Sequence, residues 1–284
     1  MIGGIPESVA RDIVARALAE DIGPGDITTA ATVAPDAECR AEIVAKAEGV
    51  IAGLGVARLV FGMLDPQIEF HEVVADGGRV SEGVTVARLS GNTMAVLAAE
   101  RTALNFLQRM SGIASLTAEY VEAAEGTDAR VIDTRKTAPG LRLLDKYAVR
   151  MGGGRNHRLG LYDGVLIKNN HLAAAGSIAQ AVQQARAQAH HLLKIEVEVT
   201  DLAGLKEALA AGADVIMLDN MDEAAMAEAV KITAGRALLE ASGSMSAARL
   251  PQVAATGVNL ISMGALTHSA PAVDIHLRLV KTWR

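Results

Sequence analysis

From residue 130 onward the chain repeats one pattern: a short apolar run, a loop of small or charged residues, then a stretch with helical spacing. The apolar runs are "RVIDTR" (130–135), "GVLIK" (164–168), "KIEVEV" (194–199), "DVIMLDN" (214–220), "ALLEAS" (237–242) and "LISMGAL" (260–266). Helical spacing recurs at 177–189, 201–211, 222–233 and 246–256. Apolar strands alternating with helices specify a parallel sheet covered by helices. Six such strands favour a barrel over a doubly wound sheet. No G-x-G-x-x-G follows the first strand, which weakens the dinucleotide-binding alternative.

The strands end in polar groups. Their last residues, or the first of the following loop, are Arg135 and Lys136, Lys168, Glu198, Asp219, Ser242 with Gly243, and Gly264. In α/β barrels the C-terminal face of the strands carries the active site. One charged strand end means little; six in succession point to a site.

The first hundred residues read differently. A helical pattern spans about 6 to 19. "AECRAEIVAKAEGVIAG" (37–53) alternates and then turns, as two strands paired with each other do. "IEFHEVVADGGRVSEGVTVARLSG" (68–91) reads as short strands joined by Gly-rich turns. Residues 94–124 hold good helix formers and no Pro. The expectation is an antiparallel, mixed α/β unit ahead of the barrel.

Composition narrows the function. Half of the 284 residues are hydrophobic, enough for a large core, so disorder is excluded. Aromatic residues are only 2%, too few for base-stacking platforms, and a net charge of −6 offers no general basic face, so no nucleic-acid partner is expected. Cys39 is the sole cysteine, which excludes a disulfide framework and a multi-cysteine metal site within one chain. The first 23 residues hold scattered charges and no apolar h-region, so no signal peptide is expected. The longest uncharged run, 250–273, contains two Pro, Gln252, Asn259 and His268, and makes a poor membrane span. A reduced, cytoplasmic protein is the expectation.

Charge is unevenly spread. Between Asp133 and His171 eight Lys or Arg face three Asp, a net +5, which leaves −11 for the rest of a chain whose total is −6. Within it, "MGGGRNHRLGLYDGVLIKNNH" (151–171) sets Arg155, His157, Arg158, Lys168 and His171 around a glycine run that breaks any helix entering it. Arg binds carboxylates and phosphates in bidentate fashion, so the ligand carries several negative charges. Glu198 and Asp219, on successive strand ends and without thiolates, suit Mg²⁺ shared with phosphate oxygens. "EASGSMS" and "SMGAL" place small residues where backbone N–H groups bind a phosphate. The barrel mouth therefore divides into a cationic half for carboxylates and a half for metal and phosphate.

Plainer readings apply to other residues. Arg142, Lys146 and Arg150 recur at spacings of four around Asp145 and read as a solvated helix face. Asp133 begins a turn and reads as its cap. His71, His190, His191 and His276 carry no expected role, and the ten Met are core filler.

Several stretches resemble the quinolinate phosphoribosyltransferase family, the decarboxylating nicotinate-nucleotide pyrophosphorylases. They are "EDIGPGDITT" (20–29), "AERTALNFLQRMSGIAS" (99–115), "DTRKTAPGLRLLDKYAVRMGGGRNHRLGLYDGVLIKNNH" (133–171), "EVEV" (196–199), "MLDNM" (217–221), "EASGS" (240–244) and "ISMGALTHSAPAVD" (261–274). The resemblance implies an α/β sandwich domain, residues 1–110 joined by the C-terminal tail 270–284, followed by an open α/β barrel over 111–269. It implies transfer of a phosphoribosyl group from phosphoribosyl pyrophosphate to quinolinate with loss of CO₂, dependence on Mg²⁺, a place in NAD biosynthesis, and a homodimer or higher oligomer with a shared active site.

Residue by residue, the resemblance implies that Arg135, His157, Arg158 and Lys168 hold the quinolinate carboxylates, with Thr134 beside them and Arg101 reaching in from the partner subunit. Lys136 faces the phosphoribosyl pyrophosphate. Glu198 and Asp219 orient the ribose hydroxyls and Mg²⁺, and with Lys136 form the catalytic set. Ser242, Gly243, Ser244, Gly264 and Ala265 bind the sugar phosphate, with His268 close by. The chain departs from the family pattern at Ser244, where "SGG" is expected and a Cβ is added, and at Asn169, where Asp is expected. Three rivals differ in class or substrate: a related phosphoribosyltransferase of the kind found beside molybdate transport genes, a Schiff-base aldolase built on Lys168, and a carrier domain suggested by "DGGRVSEGVTVARLSG" (76–91). No Lys sits at the turn where a carrier would be loaded.

Overall fold

The structure, a computed structural model, describes residue 1 and residues 3–284. The chain divides into two compact units, one of Met1–Ala118, Thr137–Gly153 and Thr267–Arg284, the other of Glu119–Lys136 and Gly154–Leu266. In chain order the first elements are α1 (Glu7–Ile22), α2 (Ile27–Thr32), β1 (Glu38–Ala45), β2 (Gly49–Val50), α3 (Leu54–Leu64), β3 (Glu69–Glu72), β4 (Arg79–Val80), β5 (Thr85–Asn92) and α4 (Thr93–Ala123). Then come β6 (Arg130–Ile132), α5 (Arg142–Met151), β7 (Val165–Ile167), α6 (Asn169–Ala175), α7 (Ile178–Gln188), β8 (Ile195–Val199), α8 (Leu202–Ala210), β9 (Val215–Asp219) and α9 (Glu223–Thr233). The last are β10 (Leu238–Ser242), α10 (Leu250–Ala254), β11 (Leu260–Ser262), α11 (Ala265–His268) and β12 (Ile275–Trp283).

In the first unit an antiparallel sheet runs β12-β1-β5-β3. β1 alternates because one face is core: Cys39, Ala41 and Ile43 are buried. On the other face Glu42 bridges both neighbours, Oε1 to Arg88 Nε of β5 at 3.2 Å and Oε2 to an Arg278 nitrogen of β12 at 2.8 Å. The reading of 37–53 as two strands paired with each other is corrected here. β1 pairs with β5 and β12, and the short β2 pairs instead with β4. Three residues separate β1 from β2, yet long-range partners bury more apolar surface than a local hairpin.

Local chemistry starts the helices of this unit. Asp26 caps α2 by accepting the Thr29 N–H at 3.0 Å. Asp76 Oδ1 accepts the N–H groups of Gly53 and Leu54 at the start of α3, each at 3.0 Å. Gly112 of α4 admits the tail: a Cβ there would lie 2.0 Å from the carbonyl oxygen of Pro271.

The solvated-face reading of α5 is overturned for Lys146, which is fully buried, whereas Arg150 is exposed and Arg142 half-buried; Asp145 among them is fully buried as well. Arg109 of α4 binds Asp145 in bidentate fashion, at 3.0 and 2.8 Å, and Asp145 also accepts the Ala138 N–H. Spacing shows that charges share a helix face, but only packing shows which way that face points.

The second unit holds a six-stranded sheet, β6-β11-β10-β9-β8-β7, whose recorded pairs are all parallel. β6 and β7 are its two edges, so the barrel is open between them. Residue 155 extends the β6 edge: Arg155 N donates to Val131 O and Asp133 N to Arg155 O. Ser177, Asp201 and Asp222 cap α7, α8 and α9 through side-chain oxygens, as each chain segment leaves a loop. The helical spacing at 246–256 shortens to α10, Leu250–Ala254. No described helix is long and apolar enough to cross a membrane.

Candidate active site

β8 reads Ile-Glu-Val-Glu-Val, and all five residues are buried. An alternating strand of this kind ordinarily exposes its polar face. Here that face lines the barrel interior, so Glu196 and Glu198 point inward together. Period two carries the same rule along β10, where Glu240 and Ser242 share a face, and along β9, where Asp219 pairs in register with Ser242.

A cavity of about 330 Å³ opens on this face, and Thr134, Arg135, Lys136, His157, Arg158, Lys168, Ser242 and Glu240 contribute to its wall. Seven of the expected site residues are therefore gathered in one place. A larger hollow of about 590 Å³ lies along β7, α6 and α7, but Ala174, Ala175, Ala181 and Ala185 make up much of its wall. The smaller cavity is the one where cations converge.

Lys168 and Arg158 are held from behind. Lys168 Nζ contacts Glu198 Oε2 at 2.5 Å, and Lys168 N donates to His171 Nδ1 at 2.9 Å. Arg158 donates from its guanidinium to Gly164 O at 2.7 Å. Burial, and then the neighbouring Arg135 charge, push the Arg158 guanidinium below its usual range. Two guanidinium groups in one part-buried cavity are relieved by an anion. Thr134 Oγ1 accepts the Lys136 N–H at 3.0 Å and shapes the loop that carries Arg135.

Asp133 is fully buried and does not act merely as a cap of its own turn. Its carboxylate accepts the His157 N–H at 2.9 Å and the Asn156 side-chain amide at 2.6 Å, which pins the loop beyond the glycine run. His157 Nε2 faces Glu196 Oε2 at 3.1 Å and Glu240 Oε2 at 3.6 Å. Burial first, and then Glu196, raise the Glu240 carboxyl well above the usual carboxylate range. Sequence reasoning missed Glu196 and Glu240. The signal was present: Glu196 lies two residues before Glu198, and Glu240 two before Ser242.

The phosphate-type loops follow β10 and β11. Gly243 takes φ +128°, and a Cβ there would lie 2.5 Å from Asn220 Oδ1, so glycine is required. Ser244 is not among the residues with positive φ, and its side chain brings no backbone strain. Arg249 ties the loop after β9 to the loop after β10. It binds Glu223 Oε1 at 2.7 Å, Ser244 O at 3.1 Å and Met221 O at 3.0 Å. Gly264 and Ala265 follow β11 as the chain starts α11. Arg101 and His268 belong to the first unit, where both are exposed.

Glu198 and Asp219 end neighbouring strands and offer hard carboxylate oxygens only, a donor set that fits Mg²⁺ completed by substrate phosphates. One three-residue group among the described residues brings ligand atoms within 4.8 Å of one another, His157, Glu196 and Glu240, and it differs from that pair. Lys168 is 47% exposed and ion-paired, without the desolvation a Schiff-base lysine needs. The carrier-like stretch lies in β4, β5 and the turn between them, and β5 is an interior strand of the antiparallel sheet.

Known proteins match along nearly the whole chain. The profile of the quinolinate phosphoribosyl transferase N-terminal domain matches residues 26–111, and that of the C-terminal domain residues 113–278. A probable nicotinate-nucleotide pyrophosphorylase [carboxylating] of Bacillus subtilis is 46% identical over 258 residues, covering 91% of this chain and 89% of that protein. A mitochondrial quinolinate phosphoribosyltransferase [decarboxylating] of Nicotiana tabacum is 42% identical, covering 95% and 82%. The solved nicotinate-nucleotide pyrophosphorylase of Francisella tularensis superposes with a TM-score of 0.92 at 40% identity, covering 98% of this chain and 99% of that one.

Proposed function

The chain belongs to the quinolinate phosphoribosyltransferase family, and from that premise we propose how its residues divide the work. The activity is decarboxylating quinolinate phosphoribosyl transfer in NAD biosynthesis. In our reading Arg135, Arg158 and Lys168 hold the two quinolinate carboxylates, with Thr134 shaping the loop that carries Arg135. The observation that carries it is the convergence of these cations on one cavity of about 330 Å³. His157 also lines that cavity, and both of its ring nitrogens have protein partners.

Phosphoribosyl pyrophosphate takes the other half. Lys136 meets its pyrophosphate, and the N–H groups around Ser242, Gly243, Ser244, Gly264 and Ala265 meet the sugar phosphate. His268 is retained as a neighbour of that group. Glu198 and Asp219 orient the ribose hydroxyls, and both are placed to hold Mg²⁺, which when bound supplies charge neutralisation for the pyrophosphate.

Catalysis in this site is mostly positioning. The cavity's cations fix the dicarboxylate so that its ring nitrogen faces the anomeric carbon. The bond to pyrophosphate breaks as Lys136 stabilises the departing charge. Positive charge develops on the sugar beside Glu198 and Asp219. Once the ring nitrogen is alkylated, the pyridinium takes up the electron pair released when the adjacent carboxylate leaves as CO₂, and a proton replaces it. No protein nucleophile is needed.

The homodimer with a shared site, Arg101 coming from the partner, is supported by the exposure of Arg101 on α4. Action in the cytoplasm is supported by the single cysteine, Cys39, which is buried and outside any disulfide. The deciding assay mixes protein, quinolinate, phosphoribosyl pyrophosphate and Mg²⁺ and follows nicotinate mononucleotide and CO₂ together. One CO₂ per nucleotide is expected. Pyrophosphate release only with a different acid would reject the acceptor and keep the phosphoribosyl half.

A further inference from the structure

The His157 ring has committed partners on both nitrogens. Nδ1 accepts the Arg158 N–H at 2.7 Å, so Nδ1 carries no proton. The proton of the neutral ring then sits on Nε2, which faces Glu196 Oε2 at 3.1 Å. The tautomer is assigned by these partners. His157 also donates its own main-chain N–H to Asp133.

Glu196 and Glu240 are 6% and 1% exposed. Written as two carboxylates, they leave one oxygen each, Oε1, without a donor, a costly state in a buried site. One polar atom from each of His157, Glu196 and Glu240 lies within 4.8 Å of the others, and two buried carboxylates that close are relieved when one of them holds a proton. Burial and the adjacent Glu196 assign that proton to Glu240. Glu196 Oε2 is the acceptor that faces the His157 Nε2–H.

A metal ion would not suit this trio. A neutral imidazole that binds a metal through one nitrogen carries its proton on the other and donates it to an acceptor. Here the other nitrogen, Nδ1, is itself an acceptor. The trio is a proton-linked buttress.

We propose that Glu196 and Glu240 are positioning residues for the acceptor: they hold the His157 ring, and through it the Arg158 main chain, so that the Arg158 guanidinium is aimed into the anion cavity. The inference rests on the reading that Arg158 binds a quinolinate carboxylate. His157 contributes orientation rather than a positive charge.

The test measures the KM for each substrate and kcat in Glu196→Ala, Glu196→Gln, Glu240→Ala and Glu240→Gln, with Arg158→Ala as reference, and records the ¹⁵N shifts of His157 in the native protein. Arg158→Ala raises quinolinate KM by about 10–100-fold, as loss of a charge-assisted pair does. Both Glu→Ala variants raise it by about tenfold while the KM for phosphoribosyl pyrophosphate stays within about twofold. Both Glu→Gln variants recover most of the loss. In Glu196→Gln the amide oxygen still accepts from Nε2–H, and in Glu240→Gln a neutral amide replaces a neutral acid. The ¹⁵N shifts report a protonated Nε2 and an unprotonated Nδ1. An imidazolium, or a proton on Nδ1, overturns the proposal even if the Ala variants fail to fold. So does a Glu240→Gln variant as impaired as Glu240→Ala, an unchanged quinolinate KM in both Ala variants, or stoichiometric Zn²⁺ binding lost in Glu240→Gln. An unaffected Arg158→Ala removes the acceptor role, while the ¹⁵N shifts still judge the buried arrangement on their own.

Discussion

At the scale of single residues the site is a balance of charges withheld from water. Glu240 is the clearest case. Its folded carboxyl holds a proton well above the ordinary value of 4.5. Folding therefore favours the protonated form. That contribution is complete below about pH 4.5 and is lost as pH climbs toward the folded value. Glu240→Gln has no such loss, so its melting temperature relative to the native protein rises as pH is raised from about 4.5 toward neutrality. A difference independent of pH would count against a neutral Glu240. Among the cavity cations, Arg135→Ala raises quinolinate KM by about 10–100-fold and leaves phosphoribosyl pyrophosphate binding near normal. Asp219→Ala shows the reverse pattern in the same steady-state assay. Normal turnover by both variants would mean that the two halves of the cavity are wrongly assigned. The positive residues were legible as a local excess of charge. Their buried partners were harder to read: Asp133 looks in sequence like an ordinary turn residue, and Glu196 and Glu240 are marked only by lying two residues before Glu198 and Ser242.

Elements translate spacing into direction. The alternation in β8 showed that Glu196 and Glu198 share a face, and the fold turned that face inward. The charges of α5 shared a face too, and burial at Asp145 followed from what lay opposite, namely Arg109, with Lys146 buried next to it in the chain. In both, periodicity gave the partition of residues and packing gave its meaning. Loops at the barrel mouth obey a similar logic. Arg249 on the approach to α10 ties the loop after β9 to the loop after β10 through Glu223, Met221 and Ser244. Arg249→Ala is expected to speed amide exchange in residues 220–223 and 243–248 and to raise the KM for phosphoribosyl pyrophosphate by about three- to tenfold, with quinolinate KM little changed. Unchanged exchange in both loops would show that they stand without the clamp.

At the scale of the molecule, the predicted site is incomplete in one chain. Arg101 is exposed on α4, and our reading places it in the partner's cavity. Arg101→Ala and Lys168→Ala homodimers would then each be inactive for different reasons. Mixed after dissociation, half of the random dimers carry one intact site of two, so about a quarter of full activity returns. Continued inactivity after verified subunit exchange, or an active monomer in sedimentation, would defeat the shared site.

The succession of strands and helices from residue 130 onward and the cationic stretch from Asp133 to His171 were determined by sequence, because periodicity and charge density are local properties. Six βα repeats leave few topologies, so the parallel sheet was legible as well. What only the tertiary structure decided is which faces met. β1 took β5 and β12 instead of the nearby β2, and the polar faces of β8 and β10 turned into the barrel. The physical reason is that pairing and burial are won by the contact that removes most apolar surface while satisfying every buried polar group. That competition runs over the whole chain, and no short window of sequence records its outcome.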